Sequence, residues 1–541
     1  MTRWGRRGSV KSPEATRATV RRGVLGAVLT LLCAGTIALL AMPPFLPADE
    51  SAHAGYALEV ADGRLPRLED TVKVEMPGQR PLRMYLANHP PLYYAITGPV
   101  LELSVDHHRP VAGVRLVRGF SLLLAAGTVA ITAALAGVVV KRRRVEAMIL
   151  AAGIAASVPT FVSTSAMIHN DLLAVFSATA AYYGAVAALV RGPRRGYVAL
   201  VCVGSAVTMA TRLNGAPIVA LACAALGVAV LLHDEGGRAR RLVKAALLGA
   251  SPLVAAAAAS GWFYLRNIRI YGDISGVGQN RELGGHHDGY TPLGYLTDRL
   301  SLPDLLTRVE NGGPWRDIQF FGWYDRKVLA LVVGVVAVGA VLAGVDVVRR
   351  YRGRGGEDAP ADRAERIERI GRWMAIGLVV ALPVLLWVQL SGYVSQTGTP
   401  NPRYLFPGVP AMAVVVAVCC LAYRRRAGVV VGVAVVSFQI VIGLTTLGRW
   451  LTIRTGVPRV NPFTQLRNSL EAADVPAPGP VLALLVTGAF VGVALQASAM
   501  WTATVARRPT ADPQVADDPA ASAAPALPTA PVTTPTPLVV T

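Results

Sequence analysis

The stretch GVLGAVLTLLCAGTIALLAMP, residues 23–43, decides the fold class of this chain. It holds no charged residue, and a helix of this length spans the roughly 30 Å hydrocarbon core of a bilayer. Arg21 and Arg22 precede it, and Pro43 and Pro44 stand at its end. A secretory signal peptide is the alternative, but it has a shorter apolar region and a small-residue cleavage site. The sequence therefore predicts an uncleaved first transmembrane helix that starts in the cytoplasm.

Similar apolar runs recur along nearly the whole chain, in which 53% of the residues are hydrophobic and 16% are charged. A soluble domain carries roughly 25% charged residues. The runs lack the alternation of apolar and polar residues that a transmembrane barrel needs. The sequence predicts an all-α polytopic membrane protein with about 12 transmembrane helices. The predicted spans are 23–43, 119–140, 146–165, 172–190, 197–212, 215–232, 243–262, 328–348, 373–390, 407–423, 427–449 and 481–503.

The net charge of +20 arises from 53 basic and 33 acidic residues. In a soluble protein this excess would indicate nucleic-acid binding. Here the basic residues form short clusters between pairs of apolar runs, as cytoplasmic loops of membrane proteins do. We therefore predict a plasma-membrane protein with both termini in the cytoplasm and no nucleic-acid partner. The clusters lie at 141–144, 191–195, 238–244, 349–354, 424–426 and 507–508.

The segments outside the apolar runs differ in composition between the two sides of the membrane. The outer loops are rich in Tyr, Trp, Asn, His and Pro, whereas the cytoplasmic segments carry the positive excess. A Pro/Ala/Thr-rich tail cannot bury a core, so it is predicted to be disordered. The predicted segments are a basic N-terminus at 1–22, a transmembrane domain at 23–508, long outer loops at about 44–118 and 263–327, a cytoplasmic linker at about 349–372 and the tail at 509–541.

The cysteines give no indication of a metal site or a disulfide framework, because all 5 lie within apolar runs without paired spacing. His286, His287 and Asp288 lie together in the fourth outer loop, but their spacing does not suit a helix-borne metal site. These residues therefore give no support for a resident metal or cofactor. The cysteines are Cys33, Cys202, Cys223, Cys419 and Cys420.

An acidic pair, Asp49 and Glu50, stands just outside the first predicted helix. Carboxylates are favoured in the first turn of a helix by its dipole, so the pair can simply mark a helix start. A carboxylate at this boundary can also act as a general base toward an incoming hydroxyl group. His53 follows Asp49 by four positions and shares its helix face. Spacing alone supports the two interpretations equally.

Further polar residues stand at the outer ends of the predicted helices, where charged groups often mark substrate paths. Arg212 and Arg403 lie on the side that lacks the positive bias, so topology does not explain them. Guanidinium groups bind phosphate oxygens well, whereas pairing with Asp171 or Glu50 is the structural alternative. The other candidate binding residues are His53, His89, His169, Asn170, Asp171, Asn214, Arg266, Asn267 and Tyr404.

Several of these residues stand in short motifs with a fixed order. Asp49 and Glu50 open the long first outer loop, HPPLYY follows at 89–94, WFYLRNIRIYGD occupies 262–273, and RYLFP at 403–407 opens a late helix. Over about residues 20–450 the set resembles the GT-C superfamily of integral membrane glycosyltransferases. The similarity is to the protein O-mannosyltransferase and lipid A aminoarabinose transferase type and to related actinobacterial cell-envelope transferases. The resemblance implies a GT-C-like fold.

The resemblance also implies a polyprenyl-phosphate-linked sugar as donor and a glycan, lipid or protein acceptor on the extracytoplasmic face. Asp49 would deprotonate the acceptor hydroxyl, and Glu50 would orient the acceptor or help to bind it. Arg403, Arg212 or Arg83 would hold the donor phosphate, and a single displacement would invert the anomeric centre. Some family members bind a divalent metal, but no carboxylate set beyond Asp49 and Glu50 indicates one here.

Two other functions stay open at this point. A transporter or flippase for lipid-linked sugars or polysaccharides would concentrate charged residues and broken helices at the bilayer midplane. The polar residues of this chain lie instead at outer helix ends and in outer loops, which favours an enzyme. A non-catalytic envelope-assembly protein is the third possibility, and it predicts that Asp49→Asn leaves function intact.

Overall fold

The structure is a computed structural model that describes residues 13–47, 49–74, 82–284, 291–298, 326–353, 362–397, 401–455 and 460–505. These residues are helical apart from connecting segments and one isolated bridge between Thr71 and Arg83. Two short 3₁₀ helices span Leu213–Gly215 and Pro402–Gly408. The α-helices are α1 Pro13–Ala41, α2 Glu50–Ala61, α3 Leu92–Asp106, α4 Pro110–Val139, α5 Arg144–Ser157, α6 Pro159–Ser165, α7 Asp171–Arg191, α8 Arg195–Met209, α9 Ala216–His233, α10 Arg238–Tyr271, α11 Val277–Gly284, α12 Pro292–Thr297, α13 Arg326–Gly353, α14 Arg363–Thr397, α15 Val409–Ala422, α16 Arg425–Thr455, α17 Pro462–Ala472 and α18 Pro478–Val505.

The described helices confirm the prediction of a multi-pass α-helical membrane protein. Among them, 10 are long and apolar enough to cross a membrane, and the pair α5 and α6, bent by 65° at their junction, is either an eleventh, broken span or a re-entrant loop. The bend lies at Val158 and Pro159, because proline lacks an amide donor and keeps the preceding residue out of the helical region. Helix α8 is apolar but has only 15 residues. Each of the predicted spans falls on one of these elements.

The first outer loop, predicted at 44–118, contains helices α2 and α3 and ends earlier than expected, because α4 begins at Pro110. The fourth outer loop also begins later than predicted, since α10 continues to Tyr271. The linker predicted at about 349–372 is helical up to Gly353 and again from Arg363. The disordered tail predicted at 509–541 and the first residues of the N-terminus, 1–12, lie outside the described residues.

The two ends of the helix bundle differ in chemistry. Helix α7 begins with Asp171 and ends with Arg191, so its ends already carry opposite charges. The basic clusters that follow α4 and α15 lie against each other, because Arg143 donates hydrogen bonds to the carbonyl oxygens of Leu421 at 2.7 Å and Arg425 at 2.9 Å. The carboxylates and arginines described below gather at the opposite end. Which of the two ends faces the cytoplasm stays a prediction from the basic clusters.

Helices α1 and α18 pack in direct backbone contact through two glycines. A Cβ atom on Gly26 would lie 2.6 Å from the carbonyl oxygen of Gly492, and one on Gly492 would lie 2.5 Å from the carbonyl oxygen of Gly26. Thr30 strengthens this contact by donating a hydrogen bond to the carbonyl oxygen of Ala489 at 3.1 Å. Small residues allow such close approach between membrane helices. The hydrophobic effect does not drive helices together inside lipid, so their association depends on this close packing and on interhelical hydrogen bonds.

We therefore expect Gly26→Val to force α1 away from α18 and to destabilise the protein by about 1–3 kcal/mol, as overpacking does in a close-packed interior. The measurement is the midpoint of thermal unfolding in detergent micelles. Gly377→Val is the matched control, because a Cβ atom on Gly377 would meet no atom within 4 Å. Equal midpoints for the two variants would contradict the close α1–α18 contact.

Candidate active site

Asp49 lies in the connection between α1 and α2, immediately before the first residue of α2. Its backbone is left-handed, with φ of 66°, a conformation that aspartate tolerates better than most residues. The carboxylate does not cap α2. Instead, Oδ1 accepts a hydrogen bond from the Tyr85 hydroxyl at 2.6 Å, and Oδ2 accepts one from Arg403 Nη2 at 2.6 Å. The carboxylate of Asp49 is therefore directed at residues from other elements.

Arg403 lies in the 3₁₀ helix Pro402–Gly408, which Asn401 holds by accepting hydrogen bonds from the Arg403 backbone amide at 3.1 Å and from Nε at 3.3 Å. Its Nη1 contacts Nε2 of His169. Arginine can only donate, so we assign His169 the tautomer in which Nε2 accepts and Nδ1 carries the proton. This Nδ1 lies 3.0 Å from Oδ2 of Asp171.

Asp171 connects this histidine to a second arginine. Its Oδ1 accepts a hydrogen bond from Arg212, whose guanidinium lies 5.3 Å above the centre of the Tyr404 ring. Asn170 supports the arrangement by accepting from Arg212 Nη1 at 3.3 Å and donating to the carbonyl oxygen of Thr211 at 3.3 Å. The resulting ion-pair network is the continuous set Asp49, Arg403, His169, Asp171 and Arg212.

The charges within the ion-pair network balance. Burial alone would raise the pKa of Asp49, but Arg403, His169 and the Tyr85 hydroxyl together hold that pKa below its usual value. Burial lowers the pKa of His169, and the neighbouring Arg403 reinforces the effect against the opposing charge of Asp171. At neutral pH the network therefore contains two carboxylates, two guanidinium groups and a neutral imidazole. Its net charge is zero.

Asp49 and Arg403 are the most exposed members of the ion-pair network. The side chain of Asp49 is 17% exposed and that of Arg403 is 11% exposed, whereas Asp171 and His169 are each 3% exposed. Arg212 lies deeper than Arg403 and is covered by the Tyr404 ring. A ligand that arrives from outside therefore meets the Asp49–Arg403 pair first.

Glu50, the second residue of the acidic pair, is fully buried and does not face the ion-pair network. Arg118 donates to both of its oxygens, from Nε at 2.8 Å and from Nη2 at 2.6 Å. The backbone amides of Phe45 and Ile168 donate to the same carboxylate at 2.8 and 2.9 Å. These contacts tie together the segments that precede Asp49 and His169. They support a structural role for Glu50. Both of its carboxylate oxygens already accept hydrogen bonds, so the structure does not support its predicted role in acceptor binding.

Arg118 is buried, and sequence reasoning missed it. Besides binding Glu50, it donates to the carbonyl oxygens of Leu39, Met42 and Pro43 at the end of α1, at 3.0, 2.7 and 3.1 Å. The signal was present in the sequence, because Arg118 is an arginine at an outer helix end on the side that lacks the positive bias. Tyr85 was missed as well, since a tyrosine in an outer loop also fits interfacial anchoring.

Two further histidines lie beside the ion-pair network. His53 is fully buried, with Nδ1 2.9 Å from the Tyr94 hydroxyl and its ring centre 4.1 Å from that of His169. Burial holds the pKa of His53 well below its usual value. Burial and the charge of Arg212 lower the pKa of His89 to about 3. Both histidines are therefore neutral and add no charge to the site.

The remaining candidates lie apart from the ion-pair network or have no contact with it. Arg266 donates to the carbonyl oxygen of Pro66 at 2.7 Å, and Asn267 donates to that of Asn88 at 3.1 Å, so both connect α10 to the first outer loop. Arg83 and Asn214 each have a buried polar atom without a hydrogen-bond partner among the described residues. Their predicted roles in phosphate binding stay predictions.

No group of three or more His, Cys, Asp or Glu side chains that could hold a metal ion occurs within the described ranges. Residues 286–288, considered above for metal binding, lie outside those ranges. Asp49 and Asp171, the two carboxylates of the ion-pair network, are each occupied by an arginine.

Comparison with known proteins gives a likeness to solved structures alone. No protein-family profile and no curated protein matches the chain. Two crystal structures of ArnT from Cupriavidus metallidurans, one bound to undecaprenyl phosphate and one in the apo state, are similar to it with a TM-score of 0.42 and 16% sequence identity. Each alignment covers 91% of this chain and 76% of the other.

Proposed function

We propose that this protein is a membrane glycosyltransferase of the GT-C type that moves a sugar from a polyprenyl-phosphate donor to an acceptor hydroxyl group. The observation that carries the proposal is the Asp49–Arg403 pair, a carboxylate and a guanidinium in contact at the accessible edge of a buried network. Transfer from a phosphate-linked donor requires a proton acceptor and a stabiliser of the departing anion. This pair supplies both groups side by side.

In the proposed reaction, the acceptor O–H gives its proton to the Asp49 carboxylate while the acceptor oxygen attacks the anomeric carbon. The bond between the anomeric carbon and the phosphate oxygen breaks, and its electron pair leaves with the phosphate. Negative charge thus moves from Asp49 to the departing phosphate, which Arg403 stabilises. Attack opposite the leaving group inverts the anomeric centre.

Arg403 is the better of the two network arginines for the donor phosphate. Arg212 binds Asp171 and Asn170 and is covered by the Tyr404 ring, so its guanidinium is enclosed by protein. We assign Arg212 and Asp171 the role of holding His169, and through it Arg403, in position. Arg403 is more exposed, and each of its Nη atoms carries a second N–H beyond the one that contacts Asp49 or His169.

The active face follows from the separation of charges along the bundle. The ion-pair network lies at the helix ends opposite the clusters at 141–144 and 424–426. Because basic clusters face the cytoplasm in membrane proteins, we place the network on the extracytoplasmic face. A polyprenyl-phosphate donor in the outer leaflet and an envelope acceptor, whether glycan, lipid or protein, both reach that face.

The test is an assay of the purified protein in lipid nanodiscs with a panel of polyprenyl-phosphate sugars and cell-envelope acceptor fractions. We expect one donor to be consumed, with release of polyprenyl phosphate and labelling of an acceptor. Asp62→Asn is the matched control, since Asp62 lies at the other end of α2 in exposed pairs with Arg64 and Lys73 and should leave turnover unchanged. Absence of donor binding and turnover across the panel would refute the proposal.

Arg403→Gln should lower kcat/KM for the donor by about 10²- to 10³-fold, the usual loss when one stabilising donor is removed from a developing oxyanion. Arg403→Lys keeps the charge without the planar fork and should lie between wild type and Arg403→Gln. Steady-state kinetics over a range of donor concentrations measures the effect. Arg363→Gln is the control, because Arg363 forms an exposed pair with Glu235. Unchanged kinetics in Arg403→Gln would exclude Arg403 as the phosphate ligand.

A transporter of lipid-linked sugars is the second candidate, and the bend between α5 and α6 is the observation that favours it. Transporters place discontinuous helices at their substrate sites. Near this bend the Ser157 hydroxyl contacts Gln439 at 2.6 Å and the carbonyl oxygen of Gly153 at 2.8 Å. Proteoliposomes with a fluorescent donor separate the two functions, because a transporter moves the intact donor across the bilayer and a transferase cleaves it.

A further inference from the structure

We infer that Arg403 holds Asp49 inactive in the free enzyme, and that the donor phosphate releases Asp49 as a base by taking its place on Arg403. The inference rests on the proposed function and concerns how the same site is switched. It predicts an order of events in which donor binding precedes activation of the acceptor. In the free enzyme the Asp49 carboxylate thus occupies the place on Arg403 that the donor phosphate takes in the complex.

The geometry supports an exchange of partners at Arg403. Its Nε is taken by Asn401 and its Nη1 contacts His169, so Asp49 on Nη2 is the one anionic contact that Arg403 makes within the described structure. A phosphodiester presents oxygens that suit the same planar fork as a carboxylate. Because Asp49 and Arg403 are also the most exposed members of the network, an incoming phosphate reaches this contact before any other.

The charge balance of the network favours protonation of Asp49 once the donor phosphate is bound. The free network is neutral, so a donor phosphodiester adds one uncompensated negative charge to a largely buried site, which is costly. The groups that face Asp49 are Tyr85, Arg403, His169 and His89, and the two histidines are neutral. Protonation of Asp49 removes the excess, and the acceptor hydroxyl supplies that proton. Donor binding therefore increases the proton affinity of Asp49.

The coupling between donor binding and the protonation of Asp49 can be measured in the wild-type enzyme, through the pH dependence of its kinetics. Arg403 keeps the pKa of Asp49 low in the free enzyme, and loss of that partner to the donor raises the pKa in the complex. The pH dependence of kcat/KM reports free enzyme, whereas that of kcat reports the enzyme–substrate complex. We therefore expect the acidic decline of kcat to lie at higher pH than the acidic decline of kcat/KM. Coincident declines would contradict the inference without any substitution.

The direct test uses undecaprenyl methyl phosphate, a phosphodiester with a methyl group in place of the sugar, and the full chain in phosphatidylcholine nanodiscs. Its Kd at neutral pH is measured for wild type, Asp49→Asn, Arg403→Gln and the double variant. We expect Asp49→Asn to bind the probe about tenfold more tightly or better, the lower limit of coupling between close charges. Arg403→Gln should bind more weakly, and in its background Asp49→Asn should tighten binding less than it does in wild type, because only the charge repulsion and no longer the competition for Arg403 is relieved.

Asp62→Asn should leave the Kd unchanged and serves as the control for loss of one carboxylate just beyond the other end of α2. Equal or weaker binding by Asp49→Asn overturns the inference, as does a gain of the same size in the wild-type and Arg403→Gln backgrounds. If wild type transfers sugar while Asp49→Asn fails to bind more tightly, only the inference fails. If wild type neither binds the probe nor consumes any donor, the proposed function fails with it.

Discussion

Replacing Asp49 with asparagine should lower kcat for sugar transfer by about 10²- to 10⁴-fold, the range over which a positioned general base accelerates a reaction. Asparagine keeps the size of the side chain and tolerates the left-handed backbone, so α2 should start at the same residue. Its amide oxygen can still accept a hydrogen bond from Arg403, but the amide cannot take up the acceptor proton. Single-turnover transfer with saturating donor measures the effect.

The loss must be separated from misfolding and from weak donor binding. Thermal unfolding of Asp49→Asn should give a midpoint near that of wild type, and the variant should bind the donor at least as tightly as wild type does. Asp62→Asn controls for the chemistry of the substitution at an exposed site just beyond the other end of α2. Full transfer activity in Asp49→Asn would exclude Asp49 as the base and would favour an assembly protein or another catalytic residue.

The membrane-spanning helices could be predicted from the sequence because lipid requires every backbone group to bond within its own segment. The ends of these helices could not be predicted as well. Helix α4 begins at Pro110 and α10 continues to Tyr271, since helices that pack against other protein need not end where hydropathy falls. The bend at Pro159 is marked in the sequence by the proline alone, within an otherwise apolar run.

The candidate site was partly predictable. Arg212 and Arg403 could be singled out from the sequence because the positive bias of cytoplasmic segments does not explain arginines at the predicted outer helix ends. The structure brings both into one network with Asp49 and Asp171. Their partners could not be assigned from sequence. Arg212 does pair with Asp171, but Arg403 binds Asp49, because pairing across the bundle depends on packing rather than on spacing along the chain.

Glu50 illustrates the same limit. Its partner Arg118 lies 68 residues away, at the predicted end of the first outer loop. In the sequence, an arginine at that position simply marks where the next helix begins. The two adjacent acidic residues thus lie in different surroundings. The side chain of Asp49 is partly exposed, whereas Glu50 is fully buried. The φ of 66° at Asp49 separates their directions, and no sequence pattern predicts that angle.

The buried Glu50–Arg118 pair leads to the second large effect. Arg118→Met should destabilise the protein by about 3–5 kcal/mol, because removal of one partner leaves the buried Glu50 charge uncompensated. The carbonyl oxygens of Leu39, Met42 and Pro43 lose their donors as well. We expect a sharp fall in the thermal midpoint and in the yield of folded protein. Arg109→Met is the control, since Arg109 is exposed at the start of the same helix.

A structural role can be distinguished from a catalytic one by a second substitution. Adding Glu50→Gln to Arg118→Met removes the unpaired charge and keeps one acceptor oxygen, which can serve the amide of Phe45 or that of Ile168 but not both. The double variant should therefore be more stable than Arg118→Met alone and should regain part of its transfer activity, because Asp49 and His169 return to their places. A double variant that is as stable as wild type but entirely inactive would instead assign the buried carboxylate of Glu50 a direct part in the reaction.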